Sequence, residues 1–214
     1  VYSAGKVFAL MRSHPSNLVV IDVENPEDPQ EISRISDLPH STSFCVDESY
    51  AYLGSTQGLK VFDISDPAEL SEIANCDTLG LGTFLKMVKS GDFMYANQND
   101  RLWVYDVANP EHPRVISSIP GYNNLYSFDV YGNNAIIGHR DAVSWQLKIM
   151  DITNPAEPTE IDTIYTIYPR YIEVSNDGLF AYLTDGGTVQ VINFQDGFDN
   201  GHLGGSCWFP GSIR

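Results

Sequence analysis

Two acids, Asp129 in the stretch SFDV (127–130) and Glu173 in YIEV (171–174), occupy matching places in similar segments. Paired carboxylates are the equipment of glycoside hydrolysis, provided both line one pocket at a suitable separation. Aligning Val46, Val88, Val130 and Val174 sets Lys86 level with Phe44, Phe128 and Ile172. A cation at a core position is costly unless paired, so Asp129 or Glu173 is its expected partner. Four more acids, Asp22, Asp63, Asp106 and Asp151, recur every 41–45 residues, with Asn193 in a fifth slot. Recurrence at that period points to architecture, not to four active sites or four calcium sites.

The recurring acids belong to near-copies of one phrase: LVVIDVENP (18–26), LKVFDISDP (59–67), LWVYDVANP (102–110) and LKIMDITNP (147–155). Within LKVFDI (59–64) the side chains alternate, as a strand requires. Further alternating stretches precede each phrase, and another follows its proline. The Asn/Asp-Pro pair is a turn device, because proline fixes φ and the preceding side chain can accept a backbone N–H bond. Asp22, Asp63, Asp106 and Asp151, with Pro26, Pro67, Pro110 and Pro155, are therefore structural turn residues, the aspartates capping the loop.

Strand-only units of this length predict an all-β chain, a β-propeller of four-stranded blades with five repeats visible. The expected single domain over 1–214 divides into blades at 1–36, 37–78, 79–120, 121–165 and 166–214. No inner strand is expected before Lys6–Met11, and residues 206–211 (SCWFPG) are expected to close the last blade. Either five blades close into a ring with an incomplete first blade, or the native chain continues into more. The chain opens at Val1 with no visible signal peptide, as a processed or excised piece would.

The repeated phrase resembles the LVIVD repeat family of bacterial and archaeal proteins, many secreted or surface-attached. The fifth copy, VQVINFQDG (189–197), lacks both the Asp and the Pro. The resemblance implies a propeller and an extracellular or cell-surface setting. It brings no catalytic residues, because its motif is a turn signature.

Composition narrows the partners. Twelve Lys+Arg against 28 Asp+Glu give a net charge of −16, which repels nucleic acid and anionic membranes. No stretch is long and apolar enough to be a transmembrane segment. Cys45, Cys76 and Cys207 lack metal-type spacing and read as buried free thiols, with a disulfide between two of them as the alternative. The acidic segment 195–201 fails the spacing of a calcium-binding loop and reads as a surface turn. No metal site and no cofactor motif is present.

Recognition is expected on the loops that break the repeat. If each blade runs from inner to outer strand, the second-to-third-strand hairpins and the blade-to-blade crossovers share one face. Two hairpins are extended, around 12–17 and 138–145, and the crossovers carry His40, residues 122–124, Tyr168 and Arg170. His40, Lys86, Tyr126, His139, Trp145, Tyr168 and Arg170 are thus the candidate ligand-binding residues. The expectation is a noncatalytic interaction platform for a protein or glycan partner. The alternative is a carbohydrate-active propeller enzyme using Asp129 and Glu173.

Overall fold

The computed structural model describes residues 2–3, 5–13, 15–77, 84–98, 101–119, 127–140, 143–166, 168–185, 187–194 and 202–208; in the last stretch, as at 2–3, the backbone alone is described. Among them there is no helix, and the strands form four-stranded antiparallel sheets laid out in chain order. Sheet one holds β1 (Tyr2–Ser3), β2 (Lys6–Met11), β3 (Ser16–Asp22) and β4 (Gln30–Leu38). Sheet two holds β5 (Ser41–Val46), β6 (Tyr50–Ser55), β7 (Gly58–Asp63) and β8 (Ser71–Cys76). Sheet three holds β9 (Phe84–Ser90), β10 (Phe93–Gln98), β11 (Arg101–Asp106) and β12 (Arg114–Ile119). Sheet four holds β13 (Ser127–Tyr131), β14 (Asn134–Arg140), β15 (Trp145–Asp151) and β16 (Thr159–Thr166). Sheet five holds β17 (Tyr171–Val174), β18 (Phe180–Thr184), β19 (Thr188–Asn193) and β20 (His202–Trp208). This is the blade construction of a β-propeller.

Two placements differ from the sequence reading. A short strand, β1, does precede Lys6–Met11, pairing Tyr2 with Val7. Two residues cannot display an alternation, so nothing in the sequence marked it. The last sheet is closed by His202–Trp208, starting four residues before the stretch expected from SCWFPG.

The four copies that keep the Asp make the same turn. The carboxylates of Asp22, Asp63, Asp106 and Asp151 accept from the amides two residues on, at 2.9, 2.8, 3.1 and 2.8 Å. The Asn/Asp before proline repeats the device: Asp66 accepts from the Ala68 amide at 2.9 Å, and its own carbonyl accepts from Glu69 N–H at 3.0 Å. Ile64, Val107 and Ile152, directly after the aspartates, are buried. Their amides donate back to Ser49, Asp92 and Asn133, each at 2.8 Å, which extends the third strand past its acid.

Contacts group the chain into two compact units, Val1–Gln98 with Tyr105–Val115, and Asn99–Val104 with Ile116–Arg214. In the first, Phe8, Leu18, Val20 and Leu38 of sheet one pack on Ala51, Leu53, Phe62 and Ile64 of sheet two. Ser33 Oγ on β4 donates to the Pro67 carbonyl at 2.5 Å, tying one sheet's outer strand to the next sheet's turn. The hydroxyl of Thr42 on β5 donates to the Phe84 carbonyl on β9. Gly54 on β6 has no room for a Cβ, because Phe84 and Met87 lie against it. In the second unit, Ile136, Leu147, Ile149 and Ile164 of sheet four pack on Ile172, Val174, Leu183 and Ile192 of sheet five. Ser117 Oγ donates to the Pro155 carbonyl at 2.6 Å, matching the Ser33 tie.

Candidate functional site

Strand pairing first corrects the alignment that singled out Lys86. On β9, Met87 pairs with Ala96, as Phe44 pairs with Leu53, Phe128 with Ile137 and Ile172 with Leu183. Met87 therefore holds the core place, and it is buried. Lys86 instead stands level with Ser43, Ser127 and Tyr171, half-buried, with its amide donating to Asn97 Oδ1 at 2.5 Å. Lys89 occupies the place of Val46 and Val130, and pairs with Asp47 at 3.3 Å. Those two residues, with Glu48, Ser49 and Tyr50, line a cleft of about 340 Å³ whose lysine is already neutralised from within.

The two inner-strand acids differ sharply. Asp129 is 9% exposed. Its Oδ2 accepts from the Val174 amide at 2.8 Å and its Oδ1 from the Val130 amide at 2.9 Å. Ser127 Oγ accepts from the Ile172 amide at 3.1 Å, so β13 grips β17 through two side chains spaced two residues apart. The Asp129 carboxylate holds two sheets together. Glu173, at the matching place on β17, is exposed beside Tyr171 on the same face of that strand.

The candidate loop residues divide between the units. His40 and Lys86 lie in the first unit; the carbonyl of His40 accepts from Thr56 N–H at 3.0 Å. Tyr126 lies outside the described residues, as do His14 and residues 122–124. His139, Trp145, Tyr168 and Arg170 lie in the second unit, where the structure brings three of them together. The hairpin of β14 and β15 pairs Arg140 with Trp145 at its mouth. The Trp145 ring meets the Tyr168 ring at 4.5 Å between centroids, inclined 37°. The Arg140 guanidinium lies over Trp145 at 5.1 Å, and that of Arg170 over Tyr171 at 5.7 Å. Arg140, Arg170 and Tyr171 are exposed, while Trp145 and Tyr168 are half-buried. His139 is buried on β14 beside this surface, paired in register with Gln146.

Local packing fixes the crossover that carries Tyr168. Arg170 N–H donates to Tyr168 O at 2.9 Å and to Thr184 O at 3.0 Å, a bifurcated bond anchoring the turn on β18. Pro169 is buried against Gly138, where an added Cβ would meet it at 2.7 Å and Ile172 at 2.8 Å. Gly138 is thus the seat on which the Tyr168–Arg170 turn rests, as Gly54 is the seat for Phe84. Thr166 Oγ1 and Gln190 Oε1, 2.5 Å apart, add a link from β16 to β19.

Arg140 and Tyr171 were not among the candidates. The signal for Arg140 was its place in the extended hairpin. The signal for Tyr171 was a large aromatic standing where Ser43 and Ser127 stand in other sheets. The surface offers ring faces, guanidinium donors and a nearby carboxylate. Rings bind the apolar faces of sugars, and guanidinium groups bind oxyanions. Among the described residues, no cluster of three His, Cys, Asp or Glu is arranged to hold a metal ion, and no helix is long and apolar enough to cross a membrane.

Comparison with known proteins places this geometry in context. Residues 40–78, 87–119 and 127–166, over half of the chain, match the LVIVD repeat. No curated protein sequence matches. A functionally unknown protein from Desulfotomaculum acetoxidans superposes with a TM-score of 0.77 at 15% identity, over 98% of this chain and 68% of its own. A candidate 6-phosphogluconolactonase from Bacteroides uniformis gives 0.80 at 12% identity, over 97% and 69%. The periplasmic gluconolactonase of Pseudomonas aeruginosa gives 0.67 at 16% identity, over 92% and 65%. The chain spans about two thirds of the length of these proteins. At such identities the likeness shows the fold. It also corrects the expectation that the chain is no enzyme: the same architecture serves proteins named as lactonases, so the noncatalytic reading is withdrawn.

Proposed function

The chain belongs to the LVIVD repeat family, and from that footing we propose that it is a carbohydrate-active β-propeller hydrolase opening a sugar lactone. The observation that carries this reading is the Trp145–Tyr168 ring pair at the mouth of the β14–β15 hairpin. The sugar ring lies against these faces, and Arg140 beside Trp145 donates to the oxygen that gains charge as the carbonyl is attacked.

Opening the lactone adds water to the carbonyl carbon and breaks the ring ester bond, leaving a carboxylate and an alcohol. A base must take the proton of that water. Asp129 is unsuited to the task, since its two oxygens hold the Val130 and Val174 amides. Glu173 takes the role here: it lies two residues from Tyr171 on the same strand face, one side-chain repeat of about 7 Å along β17. The inner-strand carboxylate pair of the sequence reading is thereby reduced to one acid.

The family resemblance and the periplasmic neighbour support an exported setting, in which a free sugar derivative or glycan would be met. The test is a pH-stat assay of the opening of glucono-1,5-lactone and of its 6-phosphate above their spontaneous rates. Wild type should add a rate proportional to protein concentration, Trp145→Ala should raise KM, and Glu173→Gln should lower kcat. A wild-type rate equal to buffer alone at every protein concentration would reject the reading.

A further inference from the structure

We infer that the ligand of the Trp145–Tyr168 surface is anionic, a sugar bearing a carboxylate or phosphate, and that Arg140 and Arg170 are its charge receptors. This rests on the carbohydrate reading of the ring pair and extends it to the class of substrate.

The argument begins with where the scarce cations go. The chain has 12 Lys+Arg among 28 Asp+Glu, so a basic side chain has many acids within reach. Lys6, Arg34, Lys60, Lys89, Arg114 and Lys148 each sit against a carboxylate. Among the described residues Arg12 and Arg101 do not, Arg101 donating instead to Ser118 Oγ at 3.1 Å, and nor do Arg140 and Arg170. The last two lie over the rings of Trp145 and Tyr171, and these rings belong to one surface joined by the Trp145–Tyr168 contact and the Tyr168–Arg170 turn.

A guanidinium over a ring keeps its N–H edge outward and loses little conformational freedom when an oxyanion arrives. The remaining charge of the chain opposes such a ligand at long range. Capture must therefore depend on short, charge-assisted hydrogen bonds inside the screening distance of about 8 Å at physiological salt. That combination predicts selection between acidic and neutral sugars of the same ring, with little electrostatic steering. It also fits the reaction, because opening a lactone creates a carboxylate beside the same two arginines.

The experiment is calorimetric titration of glucose, gluconate and glucose 6-phosphate into wild type, Arg140→Gln/Arg170→Gln and Trp145→Ala. All three substitutions alter exposed or half-buried side chains, and unchanged thermal midpoints would establish folding. Wild type should bind at least one anionic probe about tenfold more tightly than glucose, a difference of about 1.4 kcal/mol. Preference for gluconate identifies a carboxylate receptor, and preference for glucose 6-phosphate a phosphate receptor. The double arginine variant should bring the anionic probes to within about twofold of glucose, while Trp145→Ala weakens all three. Glucose binding as tightly as both anions, or a preference that survives in the double variant, overturns the anionic inference and leaves the carbohydrate reading standing. Failure of all three probes to bind wild type removes both.

Discussion

The carboxylate of Asp129 on β13 accepts the amide of Val174 on β17 at 2.8 Å, joining two sheets by one side chain. One of the two acids of the candidate catalytic pair is thus a brace between sheets four and five. Asp129→Ala should leave the Val174 amide without its acceptor in a nearly buried place, costing about 1–3 kcal/mol. Urea unfolding would measure this as a lowered midpoint at unchanged slope. A variant of undiminished stability would remove the brace.

Gly138→Ala should act on the ring pair through packing. The new methyl would press on Pro169 and Ile172, at an overpacking cost of about 1–3 kcal/mol. The crossover would shift and carry Tyr168 away from Trp145. Near-ultraviolet circular dichroism should lose the contribution of the coupled rings, and ligand affinity should fall although Gly138 touches no ligand. An unchanged aromatic spectrum would separate Gly138 from the platform.

Much of this was legible in the sequence, and the exceptions have physical causes. The Asp–turn–Pro phrase is local: proline, Asx bonds and alternation specify it within about a dozen residues, so sheets and turns could be laid out directly. The register of β9 could not be read from its valine, because Val88 resembles Val46 in type but pairs as Cys45 does. Counting back six residues from Tyr52, Tyr95 and Ile136 on the second strands would have reached Val46, Lys89 and Val130 instead. The brace role of Asp129 and the seat at Gly138 arise between sheets. Composition says nothing about which residue a neighbouring sheet presents, and those roles appeared only when the sheets were stacked.

Acid should unfold the protein through its turns. Hydrogen bonds to the Ser65 and Thr153 hydroxyls and amides hold the Asp63 and Asp151 carboxyls below the usual carboxylate range; Asp22 is lowered chiefly by the Glu24 amide and Asp106 chiefly by Arg114. A carboxyl whose folded value lies below its unfolded one contributes fully above the unfolded value near 4, and loses that contribution as pH falls through the folded value. Thermal midpoints should therefore be flat with respect to these groups above about pH 5 and decline below about pH 4. Asp63→Asn, which keeps an acceptor oxygen, should decline less steeply in acid than wild type. Parallel acid curves for the two would contradict this.

The thiols should differ in reactivity. Burial pushes Cys45 up to about 12, and Asp47 adds to the effect, so thiolate is scarce at pH 8. Burial also raises Cys76, though its amide-supplied hydrogen bond from Val115 opposes the shift. A disulfide reagent applied to native protein should label Cys76 before Cys45. Labelling of Cys45 ahead of Cys76, located by peptide mapping, would contradict this order.

The central claim is that the Trp145–Tyr168 pair is where a sugar derivative binds. The chain has three tryptophans, so nitrogen–proton correlation spectra give three indole signals, assignable with Trp145→Phe. Titration with gluconate should move the Trp145 indole signal saturably while that of Trp103 stays in place. A Trp145 signal that remains fixed at concentrations saturating any measured activity would contradict the account.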